Sequence, residues 1–471
     1  MKRIAIIGGG TAGVAAAYEL ASSRRHHGGE IKVTLFEASS RLGGIVETIR
    51  EGGFVIEGGP DGWVTEKPWA RELAVELGLE DELLPSSDEG RRTYVLVDGV
   101  LKPVPDGMRM MVPTDLAALD ATTLFSDTAR AAFHDEVNRA EELKAAAPDH
   151  DESVAAFVER HFGNEVLVKI GAPLLSGVLG GDVSKLSVRA VMAPFVAMER
   201  EHGSLIEALR AKVGSGKKSS IFTSLRSGLG TLIDRMVAAI PPTWVRLGTK
   251  VTALERDKSG WQISFSVSHG PTETEHFDTV LLATPVHVAS ELLTPLDAEI
   301  KPLMPEEASS AVVVGFGFED GKQITLPPGF GFLVPPGSAE NTLLMACTFM
   351  HQKYAGRIPK GGCLLRAFFG GHAAERLMRC GNDEIAAVAR LELARILGPL
   401  PEPRVTVVRR LPLSLPQYAV GHLERMAELE RRIDTIGNLV LLGNGYRGVG
   451  LPDLIRDSRN AARALTTQTV Q

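Results

Sequence analysis

Cysteine is scarce in this chain. Three occur among 471 residues, Cys347, Cys363 and Cys380, and their spacing fits neither a zinc nor an iron–sulfur pattern. An odd, sparse set also argues against a disulfide scaffold and for a reducing compartment. The twelve histidines are scattered, with His26-His27 in a polar stretch, so no metal site is expected. No run approaches the ~18 consecutive apolar residues of a membrane-crossing helix. Met1–Ile7 leads straight into a strand, without the charged, apolar and cleavage regions of a secretory leader. A cytoplasmic protein is expected, and the test leaves a peripheral contact with the inner face of a membrane open. Positive charge is not in excess: the formal net charge is −7 and the pI ≈ 6.0. That balance argues against nucleic acid, whose phosphates call for a basic face. No internal repeat and no Ser/His/Asp, paired-carboxylate or metal constellation stands out, a silence compatible with chemistry carried by a cofactor.

What is present is a globular composition, 44% hydrophobic and 23% charged with 49 Gly and 27 Pro, long enough for two or three domains. Ile4–Ile7 reads as a strand buried on both faces, followed by a helix over 12–22, a polar loop over 23–30 and a second strand over 31–37. Pro68 opens a helix with Ala70, Leu73, Ala74 and Leu77 on one face, ended by Gly78. Asp98-Gly99 centres a hairpin over 94–104. From 115 to about 212 the pattern is mostly helical. Ser153 caps a helix that carries Val154, Phe157, Val158 and Phe162 to a stop at Gly163, and 214–220 reads as a flexible linker. Strands follow: Trp261, Ile263, Phe265 and Val267 alternate with polar residues, and Val280–Ala283, 311–318 and 364–369 are apolar. Asn382 caps a helix with Asp383 and Glu384 in its first turn. A strand over 439–442 and a helix over 452–464 close the pattern.

Gly8-Gly9-Gly10-Thr11-Ala12-Gly13 sets glycines at the three positions of G-x-G-x-x-G between a strand and a helix, the context that gives this pattern weight. Gly8 permits the tight turn, Gly10 lets backbone approach a diphosphate, and Gly13 lets helix and strand pack closely. The anion then faces the N–H groups of a helix N-terminus. Glu37 ends the second strand, where a carboxylate accepts hydrogen bonds from ribose hydroxyls. Arg41-Leu42-Gly43-Gly44 follows; an arginine with two glycines either lays donors and bare backbone along the same diphosphate or forms an ordinary loop. Glycines at 443, 445, 448 and 450, between a strand and a helix, favour close approach by a ligand.

Gly8 to Gly13, Glu37 and Arg41 to Gly44 together resemble the extended FAD fingerprint of glutathione-reductase-like flavoproteins, and more narrowly the amine oxidase and phytoene desaturase superfamily. Five later segments narrow the resemblance: Glu57-Gly58-Gly59-Pro60-Asp61; Gly177 to Asp182 with Lys185-Leu186-Ser187; Gly329 to Pro335; Leu415-Pro416-Gln417-Tyr418 with Gly421-His422; and Gly443 to Gly450. In this order they resemble the oxygen-dependent protoporphyrinogen and coproporphyrinogen oxidases across nearly the whole chain. Ile45 departs from the further arginine that many amine oxidases carry after the two glycines, which weakens the alternative of an amine oxidase or carotenoid desaturase. A non-catalytic flavin-fold binding protein is a second alternative, and the intact phosphate-binding glycines count against it.

The resemblance implies an α/β (α+β) fold in three parts. A discontinuous Rossmann-like FAD-binding domain takes 1–62, 221–295 and 411–471. A mixed-sheet substrate domain takes 63–114 and 296–410. A helical domain over 115–220 serves membrane association. It implies FAD, a porphyrinogen substrate oxidised to a porphyrin with O2 as acceptor and H2O2 as product, a ferrochelatase partner, and a monomer or homodimer. Implied cofactor residues are Gly8, Gly10, Gly13, Glu37, Arg41, Gly43, Gly44, Gly59, Val251, Asn444, Val449, Gly450 and Leu451. On the substrate side, Gly177 and Gly181 present backbone to the ring or serve as turn glycines. Phe332 stacks on the macrocycle or fills the core. Arg91 and Arg92 meet carboxylates or stay solvated, since Thr93 stands where mitochondrial-type relatives hold an arginine. No side chain is expected to act as an acid or base, because hydride transfer to flavin is the cofactor's chemistry.

Overall fold

The computed structural model describes residues 2–27, 31–87, 91–213, 220–268, 270–337 and 342–467. Five parallel strands form one sheet in the spatial order Val245–Arg246, Ile31–Phe36, Lys2–Ile7, Thr279–Leu282, Leu439–Leu441. Ile4, Ala5, Ile6 and Ile7 are all buried, because helices cover both faces of a parallel sheet. The helices Thr11–His27 and Leu451–Thr467 pack together with Gly230–Ala239 on one face. The other face meets Phe36, Phe265, Phe277 and Val286.

The order matters for function. From Lys2–Ile7 the chain winds outward through Ile31–Phe36 to Val245–Arg246. It then restarts on the opposite side with Thr279–Leu282 and Leu439–Leu441. The switch point lies between Lys2–Ile7 and Thr279–Leu282, and ligands of open parallel sheets bind at the carboxyl ends of strands at such a point.

A second sheet has seven strands in the order Val405–Pro416, Ala308–Phe318, Cys363–Phe369, Ala346–Phe349, Gly331–Leu333, Thr93–Val97, Val100–Pro103. Only Gly331–Leu333 with Thr93–Val97 is a parallel pair, so the sheet is mixed. Asp98 and Gly99 have φ of +52° and +72°, the left-handed pair that a tight two-residue hairpin needs. The strand Val405–Pro416 runs past 410, where the sequence reading places a domain boundary. A register shift opposite Ser309–Ala311, with Leu413 at φ +45°, bends it towards the first sheet. Helices from Leu116–Asp120 to Leu205–Val213 form a third layer around Phe133, Phe157, Phe162 and Leu205.

Local signals mostly act as expected. Pro68 precedes the helix Trp69–Glu76, which buries Ala70, Leu73 and Ala74. The Ser153 hydroxyl accepts from Ala156 N–H at 3.1 Å. Trp261, Ile263 and Phe265 are buried, whereas Val267 at the strand end is 46% exposed. Four readings need correction. The first helix continues through Ser23 to His27, since its charged residues are compatible with an extra turn, and 28–30 lie outside the described residues. The cap of the helix Asn382–Leu397 is Gly381, so Asn382 is its first residue. The helix His422–Ile436 was unexpected, although His422, Met426, Leu429 and Ile433 share its buried face. The strand Val405–Pro416 was also unexpected, because Arg409, Arg410 and Pro412 break its apolar pattern. The linker over 214–219 lies outside the described residues. No described helix is long and apolar enough to cross a membrane, and no described group of His, Cys, Asp and Glu could hold a metal ion.

Candidate active site

At the switch point the turn after Lys2–Ile7 is locked by backbone. Gly8 has φ +103°, and a Cβ there would lie 2.5 Å from the Ala283 carbonyl oxygen. A Cβ on Gly13 would lie 1.9 Å from the Gly8 carbonyl oxygen. Neither position accepts a side chain, whereas a Cβ on Gly10 would meet nothing within 4 Å. Gly10 therefore presents bare backbone to open space just before the 17-residue helix Thr11–His27. This is the arrangement that receives a diphosphate.

The flanking groups fit the same ligand. Glu37 is fixed at the end of its strand: its N–H donates to the Arg246 carbonyl at 3.0 Å, and its carbonyl accepts from Thr249 N–H at 2.8 Å. Its carboxylate accepts from Gly9 N–H at 2.6 Å and Ser39 N–H at 2.7 Å. Two of about four lone-pair sites are thereby used, leaving acceptor capacity for ribose hydroxyls. Arg41 donates to the carbonyls of Leu42 (3.1 Å) and Val46 (3.3 Å), and also to that of Gly44. It staples its own loop so that Gly43 N–H reaches the Gly9 carbonyl at 2.8 Å. Burial lowers the Arg41 pKa, with the Glu37 charge opposing. A Cβ on Gly44 would stand 3.1 Å from Gly10 Cα, and one on Gly59 would stand 2.1 Å from the Ile45 carbonyl oxygen. Gly10 and Gly44 thus form one bare surface, and the buried Gly59 turn packs on the Ile45 backbone that continues it. Thr284 Oγ1, beyond the strand Thr279–Leu282, is buried without a hydrogen-bond partner. It is a group waiting for one in this crevice. Val251 is buried in the core cluster that contains Phe36.

The loop over 443–450 closes the opposite side and is held from below. The Tyr418 hydroxyl donates to the Asn444 carbonyl at 2.7 Å and accepts from Gly448 N–H at 3.0 Å. Asn444 Nδ2 donates to the Ser414 carbonyl at 2.7 Å. His422 Nε2 lies 3.0 Å from the Tyr446 carbonyl, which can only accept, so the proton is on Nε2. Burial lowers the His422 pKa to about 4, which keeps the ring neutral. Val449 and Gly450 are half-buried, and Leu451 starts the helix Leu451–Thr467.

Of the expected substrate residues, Gly181 is the one packed on Gln417, the neighbour of Tyr418. It has φ +80°, and a Cβ there would lie 2.2 Å from Gln417 Oε1, which accepts from Asp182 N–H at 3.0 Å. Gly177 is exposed on the helix Ala172–Leu179, with nothing within 4 Å of a Cβ. Arg91 is half-buried and Arg92 exposed, ahead of the strand Thr93–Val97. The Arg92 carbonyl accepts from Phe330 N–H at 2.7 Å. Phe332 is 1% exposed in the core of the seven-stranded sheet, its ring centroid 6.2 Å from that of Phe349.

Sequence reasoning missed a buried ionic cluster beside Gly59. Lys353 Nζ lies 2.9 Å from both Asp61 carboxylate oxygens, and Arg366 Nη1 lies 3.5 Å from Asp61. Arg357 Nη1 lies 3.2 Å from Glu57. Arg366 also donates to the Gly59 carbonyl. Burial pushes the Asp61 carboxyl up, but Lys353 and Arg366 outweigh it and hold the pKa below the ordinary value. At Glu57 burial wins over Arg357 and the pKa is raised. Partners some 300 positions apart leave no local pattern that a sequence reading could use.

Comparison with known proteins follows the same lines. The family model described as flavin containing amine oxidoreductase matches residues 11–466. The coproporphyrinogen III oxidase of Bacillus subtilis (strain 168) is 34% identical, covering 98% of this chain and 97% of its own. The chloroplastic protoporphyrinogen oxidase of Nicotiana tabacum is 27% identical, covering 98% of this chain and 85% of its own. A crystal structure of a candidate protoporphyrinogen oxidase from Exiguobacterium sp. 255-15 superposes with a TM-score of 0.85 at 29% identity, over 99% of both chains. Reduced UDP-galactopyranose mutase, at 16% identity and a TM-score of 0.70, shares the fold.

Proposed function

Since this chain belongs to the flavin-containing amine oxidoreductases and, within them, to the family of coproporphyrinogen III and protoporphyrinogen oxidases, we propose that it oxidises a porphyrinogen to the porphyrin with O2 as acceptor. It is an oxidoreductase with FAD as its cofactor. The observation that carries the substrate reading is the 34% identity to a coproporphyrinogen III oxidase over 98% of the chain. Coproporphyrinogen III is favoured over protoporphyrinogen IX because the relatives at 34% and 30% identity carry the former name, whereas the plant relatives that carry the latter are 27–28% identical.

Bound FAD supplies the hydride acceptor. In this reading Gly8, Gly10 and Gly13 hold its diphosphate at the N-terminus of Thr11–His27, and Glu37 accepts from the ribose. Gly43, Gly44, Gly59 and the 443–451 segment present bare backbone along the rest of the cofactor. Gly181, packed on Gln417, is the glycine this reading offers as backbone to a large planar ring. Arg91 and Arg92, just ahead of the strand Thr93–Val97, are the cations this reading offers to its carboxylates. Each oxidation removes a hydride from a bridging carbon and one proton, hydrogens shift round the ring between oxidations, and each O2 consumed returns as H2O2. Residence in the cytoplasm, peripheral membrane contact through the helices over 116–213, monomeric or homodimeric assembly, and delivery of product to a ferrochelatase complete the proposal.

The test is porphyrin fluorescence in air with purified yellow protein, each porphyrinogen supplied separately. Faster flavin-dependent turnover of coproporphyrinogen III is the expected result. Rates no higher than autoxidation with either macrocycle would overturn the reading, and amine and polyene substrates would be tried next.

A further inference from the structure

Three cations and two carboxylates are buried together against the turn over 58–61, and neither binding nor positioning of the substrate uses them. Lys353, Arg357 and Arg366 face Asp61 and Glu57, with side chains 0–16% exposed. Taking charges out of water is costly, and apolar residues of similar volume would hold the same junction at no greater cost. The charge itself therefore asks for an explanation. The set is not balanced: one positive charge is left over, because a guanidinium does not give up its proton in a protein. Arg366 Nε and the Tyr354 hydroxyl are also buried without hydrogen-bond partners.

Its place in the fold is specific. Glu37 meets Gly9 at one end of the bare glycine surface. Gly10 packs on Gly44, Ile45 packs on Gly59, and the Gly59 carbonyl takes the hydrogen bond of Arg366. In the reading above, a dinucleotide with its ribose at Glu37 and its diphosphate over Gly10 would run its other half along this line, where the Gly59 carbonyl joins it to Arg366.

We propose that Arg366, fixed by Asp61 and by the Gly59 carbonyl, is a positioning residue that keeps net positive charge beside the flavin ring and so favours the reduced cofactor. Accepting a hydride adds one negative charge to the ring system. A cation held in a water-poor site offsets that charge without reorganising. Asp61 sets how much of the charge is felt. The proposal rests on the ring placement given above and not on the identity of the substrate.

The experiment is an equilibrium dye titration of the two-electron midpoint potential of the purified FAD-loaded protein, with no porphyrinogen present. Arg366→Met is expected to lower the potential by an amount equivalent to at least tenfold in the reduced-to-oxidised equilibrium, about 30 mV for two electrons. Asp61→Asn is expected to raise it, and Arg366→Lys to stay near the wild-type value. A purely structural role would not give opposite signs from the two sides of one ion pair. Shifts of the same sign, or no shift in either variant, would overturn the proposal. Should Arg366→Met fail to fold, Asp61→Asn and Arg366→Lys still decide it: an unshifted or lowered potential in Asp61→Asn sinks it. Failure of the substrate reading would show separately, as lack of porphyrinogen turnover with the potentials still displaced.

Discussion

Tyr418 lies flat on His422, with ring centroids 3.8 Å apart and planes 10° apart, and both side chains hold the backbone of the 443–450 loop from beneath. Removing the hydroxyl in Tyr418→Phe leaves the Asn444 carbonyl and the Gly448 N–H without their partner. The cost of such a loss is about 1–2 kcal/mol, roughly tenfold in FAD affinity if the loop touches the cofactor. Flavin fluorescence on dilution measures that affinity. An unchanged dissociation constant would detach this loop from the cofactor site.

Two glycines of one motif should fail differently. In Gly13→Ala the new methyl group would sit 1.9 Å from the Gly8 carbonyl oxygen, so the turn and the helix that follows must move apart. Poor soluble yield and a lowered melting temperature are expected. In Gly10→Ala nothing lies within 4 Å of the methyl, so the protein should fold normally and still lose FAD, because the methyl occupies the approach of the diphosphate. Melting temperature and the flavin absorbance of the purified proteins separate the two cases. A yellow Gly10→Ala protein would contradict the diphosphate placement.

His161 is fully buried in the helical layer between Glu136 and Glu199, with 3.1 Å from each ring nitrogen to a carboxylate. Burial alone would lower its pKa, but hydrogen bonds to both glutamates outweigh it and the pKa is raised above 6.5. The folded-state pKa therefore exceeds the unfolded one. The stabilisation is complete below about pH 6.5 and is lost as pH rises through the folded-state value. The wild-type melting temperature should fall as pH climbs above neutrality, and His161→Gln should flatten that part of the curve. Parallel curves for the two proteins would show that His161 is neutral throughout.

Phe332 is a second point of decision on the substrate side. Its ring is enclosed with Tyr94, Phe349 and Leu365. Phe332→Ala is therefore expected to destabilise the protein by about 3–5 kcal/mol while KM for the porphyrinogen changes little. A large rise in KM with unaltered denaturant stability would instead make it a stacking surface.

The legible parts of this molecule were those written in contiguous residues. Gly8 to Gly13 between a strand and a helix, Glu37 one strand later, the Asp98-Gly99 hairpin and the Ser153 cap are readable from adjacent residues, even where, as at Gly8 and Glu37, the fold adds distant partners such as Ala283 and Arg246. What escaped was written across the chain. The pairing of Asp61 with Lys353 and Arg366, and of Tyr418 with the 443–450 loop, depends on tertiary placement. The strand Val405–Pro416 hid because its arginines serve other elements: Arg409 pairs with Glu47, and Arg410 with the Cys380 carbonyl and Asn382. An alternation of polar and apolar residues cannot reveal a strand whose side chains are spent on such contacts.

The five parallel strands that build the cofactor crevice come from positions 2, 31, 245, 279 and 439 onwards. During synthesis the glycine turn at 8–13 leaves the ribosome on the order of a minute before the strand Leu439–Leu441 that completes its sheet. Until then the strand Thr279–Leu282 is paired on one side only, with Lys2–Ile7. Closing so long a chain loop is slow for entropic reasons. The edge of Thr279–Leu282 therefore stays open until the last part of the chain is made, and FAD, which binds the assembled crevice, favours the native state only after that strand is in place.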